Sequence, residues 1–474
     1  MSKKIYITTT LPYVNAEPHI GFALEIIQAD AWARTKILEG YEVVFNTGTD
    51  EHGLKIYQKA LEEGKDPQEY TNEYAAKFDR LKQALNLSYT NFIRTTDTFH
   101  KKAAQEFWKK CERNGDIYKK NYKMKYCVGC ELEKTDSELI DNKCPLHPKL
   151  EIQTIEEENY FFRFSKYQQN LLELYKKNPD FVVPDFRFNE IKAFVEKGLE
   201  DFSISRLKNK MPWGVPVPGD DNHVMYVWFD ALINYISTIG WPENQEKFQN
   251  FWPGYQTAGK DNLRQQSAIW QAMLLSAGLE NSRQIFIHGF ITVDGQKMSK
   301  SLGNVVNPFD LIATYGTDAV RYYLLREIPS LDDGNFSYSR MEEVYNSDLA
   351  NELGNLAMRL TTIAEKDSLQ IQLHNHQTLD QSIVDHVHNY QFNQALELLW
   401  QKIKQLNRDT DEFAPWKKTS DERKKFLENS LLKLHTIAIL LQPFMPETAE
   451  KIQSATIGTI KKIQPLFPKK NIQQ

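Results

Sequence analysis

The first fifty residues alternate between strand-like and helix-like segments, and this alternation limits what the chain can fold into. Residues 5–8 are rich in β-formers, a loop with Pro12 and Pro18 follows, and a helix is predicted over residues 21–38. A second strand is predicted over residues 41–45. Strand, loop, helix and strand at this spacing predict a parallel α/β sheet. Such sheets bind ligands beyond the carboxyl ends of their strands, so the loops after both strands are candidate site segments.

The composition excludes several classes of protein. The chain has 474 residues, enough for about three domains, and 41% hydrophobic with 26% charged residues excludes a disordered or collagen-like chain. Since 58 Lys and Arg face 63 Asp and Glu, the net charge is −5. Charge alone therefore predicts a small-molecule enzyme without a basic field for nucleic acid.

The chain shows no signal peptide and no apolar stretch that could span a membrane, which predicts a cytoplasmic protein.

Two changes in composition and predicted secondary structure divide the chain further. Residues 119–221 hold three of the four cysteines, an acidic run and a proline-rich exit, which indicates an insertion between two halves of the sheet. The α/β pattern is expected to resume with residues 224–229 and 284–288. After residue 336 the strands stop and helical periodicity begins, carried by Phe392, Ala395, Leu396, Leu399 and Trp400 and then by Leu431, Leu434, Ala438 and Ile439. An all-helical bundle is predicted there.

Two short motifs carry the chemistry. His19 and Gly21 lie where the first loop enters the first helix, a place that suits a phosphate group, although many loop histidines sit at ordinary helix starts. Residues 294–301 (DGQKMSKS) form a polar loop with two lysines three apart, a pattern that by itself also fits a solvated turn. Together, in this order and separation, they resemble the paired HIGH and KMSKS signatures of class I aminoacyl-tRNA synthetases.

Flanking residues narrow the resemblance to the methionyl-tRNA synthetase family. The segments that resemble it are residues 11–15 (LPYVN), 48–53 (GTDEHG), 226–231 (YVWFDA), 259–261 (GKD) and 302–306 (LGNVV). The resemblance implies a Rossmann-like parallel-sheet catalytic domain split by a zinc-knuckle connective insertion and followed by an all-α anticodon-binding bundle. We accordingly expect catalytic halves at 1–118 and 223–335, the insertion at 119–222 and the bundle at 336–474.

The cysteines fit a metal site. Cys127, Cys130, Cys144 and His147 form two C-x-x-C/H turns, which can supply four tetrahedral ligands without an open position. One structural Zn²⁺ is therefore predicted, as in the family's insertion; the alternative is two unrelated turns with free thiols. Cys111 lies four residues after Phe107 on a predicted helix and is expected to be a small buried hydrophobic residue.

The resemblance implies a methionine–tRNA ligase that forms methionyl-adenylate from methionine and ATP and then transfers methionine to the 3′ end of tRNA(Met). Lys297 and Lys300 match the phosphate-holding lysines and, with His19, are the expected catalytic residues; Mg²⁺ is expected with ATP. The other expected ATP contacts are Gly21, Asp261 and His288, with the backbone of 287–290 around adenine. The expected methionine contacts are Leu11, Tyr13, Asp50, Trp228, Ala231, Tyr235 and Gln266.

Two positions depart from the family pattern. Phe22 stands where the HIGH motif has its last histidine, which removes one phosphate donor and puts its effect on rate in doubt. Gln266 stands where the family often has a histidine near the methionine side chain, and glutamine keeps hydrogen-bonding capacity. Activity is still expected, with a neighbouring group or the backbone replacing the lost donor.

The helical region is expected to read the anticodon through Asn355, Arg359 and Trp416, because exposed RNA bases are recognised by hydrogen bonds and by stacking. Recognition by local contacts is compatible with the acidic net charge. A monomer is expected, since the additional C-terminal domain that dimerises many relatives is not in this sequence. The competing interpretations are another class I synthetase, a nucleotidylyltransferase with a HIGH-type site, or a non-catalytic tRNA-binding paralogue.

Overall fold

The computed structural model describes residues 3–130, 132–134, 136–299, 302–373 and 379–470. The chain divides into two compact units. Unit 1 consists of Met1–Glu17, Glu42–Arg80 and Tyr89–Ile287, and unit 2 of Pro18–Tyr41, Leu81–Ser88 and His288–Gln474.

Strands and helices follow each other along the described chain. The strands are β1 Lys4–Thr9, β2 Glu42–Thr49, β3 Asn91–Arg94, β4 Ile117–Cys127, β5 Leu132–Lys134, β6 Gln153–Phe162, β7 Val182–Val183, β8 Phe202–Ser203, β9 Ser205–Leu207, β10 Pro216–Val217, β11 Asp220–Met225, β12 Tyr255–Gly259, β13 Gln284–His288, β14 Ile291–Val293, β15 Gln296–Lys297, β16 Gly334–Phe336, β17 Gln370–Ile371 and β18 Gly458–Thr459. The helices are α1 Ile20–Leu38, α2 Leu54–Glu62, α3 Pro67–Asp79, α4 Leu81–Ala84, α5 Thr98–Arg113, α6 Gln168–Lys177, α7 Asp185–Glu196, α8 Val227–Ala231, α9 Asn234–Ser237, α10 Gln245–Phe251, α11 Trp270–Ser276, α12 Pro308–Tyr315, α13 Thr317–Arg326, α14 Tyr338–Val344, α15 Asn355–Lys366, α16 Gln381–His388, α17 Phe392–Phe413, α18 Ser420–Leu441 and α19 Pro446–Ala455.

Unit 1 is built on a six-stranded sheet with the strand order β3-β2-β1-β12-β13-β7. Strand β1 pairs in parallel with β2 and β12, β2 with β3, and β13 with β7. The predicted parallel α/β sheet is therefore confirmed. Gly48 in β2 has a close-approach role, because a Cβ there would lie 1.8 Å from the carbonyl oxygen of Ile93 in β3.

Two smaller antiparallel sheets lie within unit 1. One has the order β5-β4-β6-β8 and the other β10-β11-β9. Many of the large aromatic side chains of unit 1 share one core, in which Phe107 and Trp108 of α5 pack against Phe229. Cys111 is fully buried in this core, as predicted, and burial raises the pKa of its thiol to about 12.

The expectation for residues 224–229 needs correction. Within this segment only Val224 and Met225 belong to a strand, as the last two residues of β11. Strand β11 lies in an antiparallel sheet rather than in the parallel one. Helix α8 begins at Val227. The residue before it, Tyr226, is the N-cap and has an extended backbone conformation. Strand β7, which lies inside the segment predicted as an insertion, pairs with β13 at the edge of the parallel sheet.

Unit 2 is mainly helical, as predicted for the C-terminal region, although it also contains the short pair β17–β18. Helix α17 buries Phe392, Ala395, Leu396, Leu399 and Trp400, which confirms the predicted apolar face. The fully buried Arg321 of α13 pairs with Asp30 of α1 at 2.7 Å and donates to the carbonyl oxygens of Pro443 and Phe444. No helix among the described residues is both long and apolar enough for a transmembrane span.

Candidate functional site

The loops that follow β1 and β2 meet at the carboxyl end of the parallel sheet. The backbone N–H of Asp50 donates to the carbonyl oxygen of Pro12 at 3.0 Å, and the N–H of Val14 donates to that of Asp50 at 3.3 Å. Tyr13 and Asp50 thereby form an isolated parallel bridge that extends the β1–β2 pairing. The carboxyl edge of the sheet, where the sequence predicts ligand binding, is the edge where Tyr13 and Asp50 lie.

A cavity of about 330 Å³ opens at this edge within unit 1, at the lower end of the usual range of about 300–1,000 Å³ for small-molecule sites. Its walls come from the loop after β1, Asp50 after β2, the turns at residues 129–130 and 146–147, helices α8 and α9, and the stretch that begins after β12. The cavity contains every residue predicted for methionine together with Asp261; these are Leu11, Tyr13, Asp50, Trp228, Ala231, Tyr235, Gln266 and Asp261.

The cavity combines a buried carboxylate with aromatic walls. Asp50 is only 3% exposed, and Thr95 Oγ1 donates to its Oδ1 at 3.5 Å. Tyr13 and Trp228 are half-buried in the wall, whereas Asp261 is exposed at the rim. A buried carboxylate can hold an ammonium group, and aromatic faces suit an apolar, polarizable side chain.

Tyr235 and Gln266 form a buried polar pair in the cavity wall. The Gln266 amide Nε2 donates to the Tyr235 hydroxyl at 2.7 Å, and its Oε1 accepts from Gln256 Nε2 at 3.2 Å. Gln266 lies in the π-helical turn Gln265–Ile269, and such turns are frequent at functional sites.

A buried histidine–aspartate–histidine clamp, formed by His52, Asp230 and His100, lies beside the cavity segments. Asp230 accepts from His52 Nδ1 at 2.6 Å and from His100 Nε2 at 2.8 Å. Burial by itself would raise the pKa of Asp230, but the charge of His52 and the hydrogen bonds from both rings outweigh it and lower that pKa to about 2. Sequence reasoning missed the clamp: His52 and Asp230 lie in the quoted motifs, but no sequence signal joined them to His100.

The HIGH-like segment forms the N-terminus of α1 in unit 2. His19 is the N-cap residue, and its Nδ1 accepts from the Gly21 N–H at 3.1 Å. This bond and desolvation, which lowers the pKa of His19, both favour a neutral ring that carries its proton on Nε2. The Ile20 N–H is also occupied, since it donates to Val306 at 3.1 Å. Nε2 of His19 is thus the donor that this turn can offer to a phosphate.

Gly21 is where the two predicted signatures meet. A Cβ at Gly21 would lie 2.9 Å from the His19 ring and 3.6 Å from the terminal methyl carbon of Met298, which belongs to the KMSKS-like segment. Any larger residue would displace the histidine ring. The neighbouring Phe22 is half-buried, and its N–H donates to the His19 carbonyl oxygen at 3.1 Å.

The KMSKS-like segment begins as a tight hairpin. Strands β14 and β15 are joined by Asp294 and Gly295, both with positive φ, as a two-residue turn requires. Lys297 is exposed, and Asn304 spans the loop by donating to the Lys297 carbonyl oxygen at 3.2 Å and accepting from the Ser299 N–H at 2.9 Å. Lys300, predicted as the second phosphate-binding lysine, lies outside the described residues.

The side chain of His288 is buried and points to protein groups. Its Nδ1 lies 2.7 Å from the Gly289 carbonyl oxygen and its Nε2 lies 3.0 Å from Glu25 Oε2. Both ring nitrogens therefore have protein partners, and the adenine contact expected for residues 287–290 stays a prediction.

The predicted metal ligands cluster as expected. The thiol sulfurs of Cys127, Cys130 and Cys144 and one ring nitrogen of His147 all lie within 4.8 Å of one another. Cys130 Sγ is 3.2 Å from His147 Nδ1 and 3.4 Å from Cys144 Sγ. Gly129 permits this approach, because a Cβ there would lie 2.5 Å from the His147 ring. Three thiols and one imidazole at these separations suit tetrahedral zinc.

The three residues predicted to read the anticodon lie in the helical part of unit 2. Arg359 pairs with Asp411 at 2.5 Å and places its guanidinium 5.5 Å from the centre of the Trp416 ring. Trp416 is 52% exposed, and Asn355 is exposed one helical turn before Arg359. The half-buried Arg359 and the exposed Trp416 therefore form one cation–aromatic pair at the surface.

Comparison with known proteins identifies the family. The family described as tRNA synthetases class I (M) matches residues 5–154 and 133–361. The methionine–tRNA ligase of Thermotoga maritima is 45% identical over 95% of this chain and 74% of its own length. That of Thermosynechococcus vestitus is 42% identical over 95% of this chain and 90% of its own length.

Solved structures agree with the sequence comparison. A Mycobacterium tuberculosis methionyl-tRNA synthetase in complex with methionyl-adenylate is 39% identical, with a TM-score of 0.88 over 96% of this chain and 94% of that one. The apo form of the enzyme from the same organism is 34% identical, with a TM-score of 0.85 over 100% of this chain and 99% of that one.

Proposed function

The chain belongs to the class I tRNA synthetase family, among its methionine–tRNA ligases, and we propose that it activates methionine in the cavity of unit 1. The observation that carries the proposal is the convergence of all seven expected methionine contacts and Asp261 on one cavity. These residues come from four separate stretches of the sequence, at residues 11–13, 50, 228–235 and 261–266, and chance does not place all four on the walls of one small cavity.

Each end of methionine has a matching wall. The ammonium group pairs with the buried Asp50 carboxylate, and the thioether side chain lies against the rings of Tyr13, Trp228 and Tyr235. Ala231 leaves room for an unbranched side chain. The rings lie beside the buried polar pair of Tyr235 and Gln266, so the site selects both for shape and for a polar contact.

Methionine attacks ATP through its carboxylate oxygen, which bonds to the α-phosphorus while pyrophosphate leaves with the electron pair. No covalent enzyme intermediate is needed, so alignment and charge neutralisation provide the catalysis. In our proposal Asp261 at the cavity rim binds the ribose, His19 donates through Nε2 to a phosphate oxygen, and Lys297 and Lys300 hold the charge that develops on pyrophosphate. A Mg²⁺ ion bound with ATP supplies additional charge neutralisation.

In our proposal other phosphate contacts keep the chain active although Phe22 replaces the second histidine of the HIGH motif. The His19 ring is fixed at Nδ1 by the Gly21 N–H, so its donor proton is already directed through Nε2. A phenyl ring at residue 22 contributes no hydrogen bond to phosphate. We infer that His19 and the lysines carry the phosphate contacts.

Cys127, Cys130, Cys144 and His147 hold a structural zinc ion in this proposal. Four protein ligands leave no open position for a substrate, which distinguishes the site from a catalytic zinc site. Gly129, Cys130, Leu146 and His147 also line the cavity, so the ordered knuckle forms part of its wall.

The second step transfers methionine to the terminal adenosine of tRNA(Met). Arg359 and Trp416 provide a planar cation and an exposed ring on which unstacked anticodon bases can stack, and Asn355 supplies hydrogen bonds. Specificity for tRNA then comes from these local contacts, which a net charge of −5 permits.

Amino-acid-dependent exchange of pyrophosphate into ATP tests the first step. The pure protein should catalyse exchange with methionine and not with leucine or isoleucine, and Asp50→Asn should raise the KM for methionine while leaving the KM for ATP near the wild-type value. Exchange with another amino acid would establish a different synthetase. Absence of exchange with any amino acid would favour a non-catalytic paralogue and overturn the proposal.

A further inference from the structure

A series of buried amide side chains and one buried hydroxyl, joined by hydrogen bonds, lies behind the cavity wall and ends at Tyr235. Its members beyond the wall are Gln256, Gln271 and Ser282, which are 2%, 0% and 5% exposed. A buried amide costs free energy unless its groups are paired, and these side chains pair with each other. Two backbone groups, the N–H of Ser282 and the carbonyl oxygen of Gln266, set the orientation of the first amide in this series.

The orientation of Gln271 is fixed by the main chain. Its Oε1 accepts from the backbone N–H of Ser282 at 3.1 Å, and its Nε2 donates to the backbone carbonyl oxygen of Gln266 at 2.8 Å. A backbone N–H can only donate and a carbonyl oxygen can only accept. The Gln271 amide therefore has one orientation, and the same Nε2 also donates to Ser282 Oγ at 3.0 Å.

This polarity passes from side chain to side chain. Ser282 Oγ accepts from Gln271 and donates its own proton to Gln256 Oε1, 2.6 Å away. Gln256 must then use Nε2 to donate to Gln266 Oε1 at 3.2 Å, and Gln266 in turn donates through Nε2 to the Tyr235 hydroxyl at 2.7 Å. The Tyr235 oxygen receives a hydrogen bond from Gln266, so its own proton points away from Gln266.

We propose that Gln271, Ser282 and Gln256 are positioning residues that fix the amide of Gln266, so that the Tyr235 hydroxyl acts as a hydrogen-bond donor toward the side chain of the bound amino acid. This inference rests on the proposed function of the cavity. A directed donor favours a side chain with an acceptor atom, such as a thioether sulfur, over a hydrocarbon of the same length. The glutamine at residue 266 is consistent with this role, since the orientation of its amide is set by its hydrogen-bond partners.

The test compares methionine with norleucine, in which a methylene group replaces the sulfur. Ser282→Ala removes the donor that orients Gln256, and Gln256→Leu removes the link to Gln266. In pyrophosphate exchange, each variant should lower kcat/KM for methionine by about three- to tenfold, mainly through KM, the range expected for one neutral hydrogen bond. Norleucine should lose much less, so the preference for methionine should shrink.

Gln284→Leu serves as the matched control. Gln284 is a half-buried glutamine on β13 whose amide donates to the Asp180 carbonyl oxygen at 2.9 Å, outside the chain of hydrogen bonds. It should keep the wild-type preference. An equal loss for methionine and norleucine, or an unchanged ratio, would overturn the inference, and Ser282→Ala alone decides if Gln256→Leu does not fold. Failure of the wild-type protein to exchange with methionine would instead refute the proposed function itself.

Discussion

Replacement of Asp230 by asparagine should destabilise the protein at neutral pH by about 2 kcal/mol. Asp230 is completely buried and accepts from His52 and His100 at 2.6 and 2.8 Å. Asparagine keeps the shape of the side chain but removes the negative charge and one of the two acceptor oxygens. Charge-assisted hydrogen bonds contribute about 1.5–3 kcal/mol each, and one such bond is lost.

The lowered pKa gives a second value for the same loss. The pKa of Asp230 is about 2, against an ordinary value of 3.8. This lowering of the pKa corresponds to about 2 kcal/mol of stabilisation of the charged form at neutral pH. The two values describe the same interactions, because the pKa is lowered by the charge of His52 and by the hydrogen bonds from both rings.

The pH dependence has a definite sign. Because the pKa is lower in the folded state, the stabilisation is complete well above pH 3.8 and is lost as the pH falls toward 2. Urea unfolding at pH 7 should show a lower midpoint for Asp230→Asn, and the difference from wild type should fall to roughly half at pH 3. The exposed Asp221→Asn is the control. Equal stabilities at pH 7, or a difference that does not shrink at low pH, would refute the reasoning.

Three further predictions concern the other sites. Cys144→Ser should lower the zinc content measured by atomic absorption from one ion per chain toward zero, and an unchanged content would contradict the ligand assignment. Trp416→Ala should leave pyrophosphate exchange unchanged but lower kcat/KM for tRNA charging by about tenfold or more, the size of one lost base-stacking contact. Unaltered charging would contradict a contact between Trp416 and the anticodon. Lys297→Ala should reduce the rate of exchange by about 10²–10³-fold without weakening methionine binding, as measured by calorimetry, if the lysine acts on the leaving pyrophosphate.

The sequence predicted the parts of the fold that depend on local pattern. Strands β1 and β2, helix α1 and the apolar face of α17 follow periodicity and turn chemistry, and the structure has them within a few residues. The cavity and the metal cluster were predictable because matched motifs and ligand spacing identified their residues. Residues 224–229 were harder, since a run of Val, Tyr, Trp and Phe favours a strand locally while tertiary packing makes half of it helical.

The supporting polar contacts could not be predicted. His100 contacts Asp230, which is 130 residues away in the sequence, and Ser282 contacts Gln256, which is 26 residues away. Neither His100 nor Ser282 lies in a motif or follows a hydrophobic period. Hydrogen bonds of this kind depend on where packing brings side chains together, and that information is not local. The cap made by the His19 ring on Gly21 was likewise visible only in three dimensions, although the sequence indicated that the glycine allows a close approach.

Aminoacylation of tRNA(Met) by the pure protein tests the central claim most directly, because it requires the methionine cavity, the phosphate contacts and the anticodon surface together. With methionine, ATP and Mg²⁺ the protein should charge tRNA(Met), and a tRNA(Met) with an altered anticodon should be charged far more slowly. No charging of tRNA(Met), or equal charging of both tRNAs, would contradict the account.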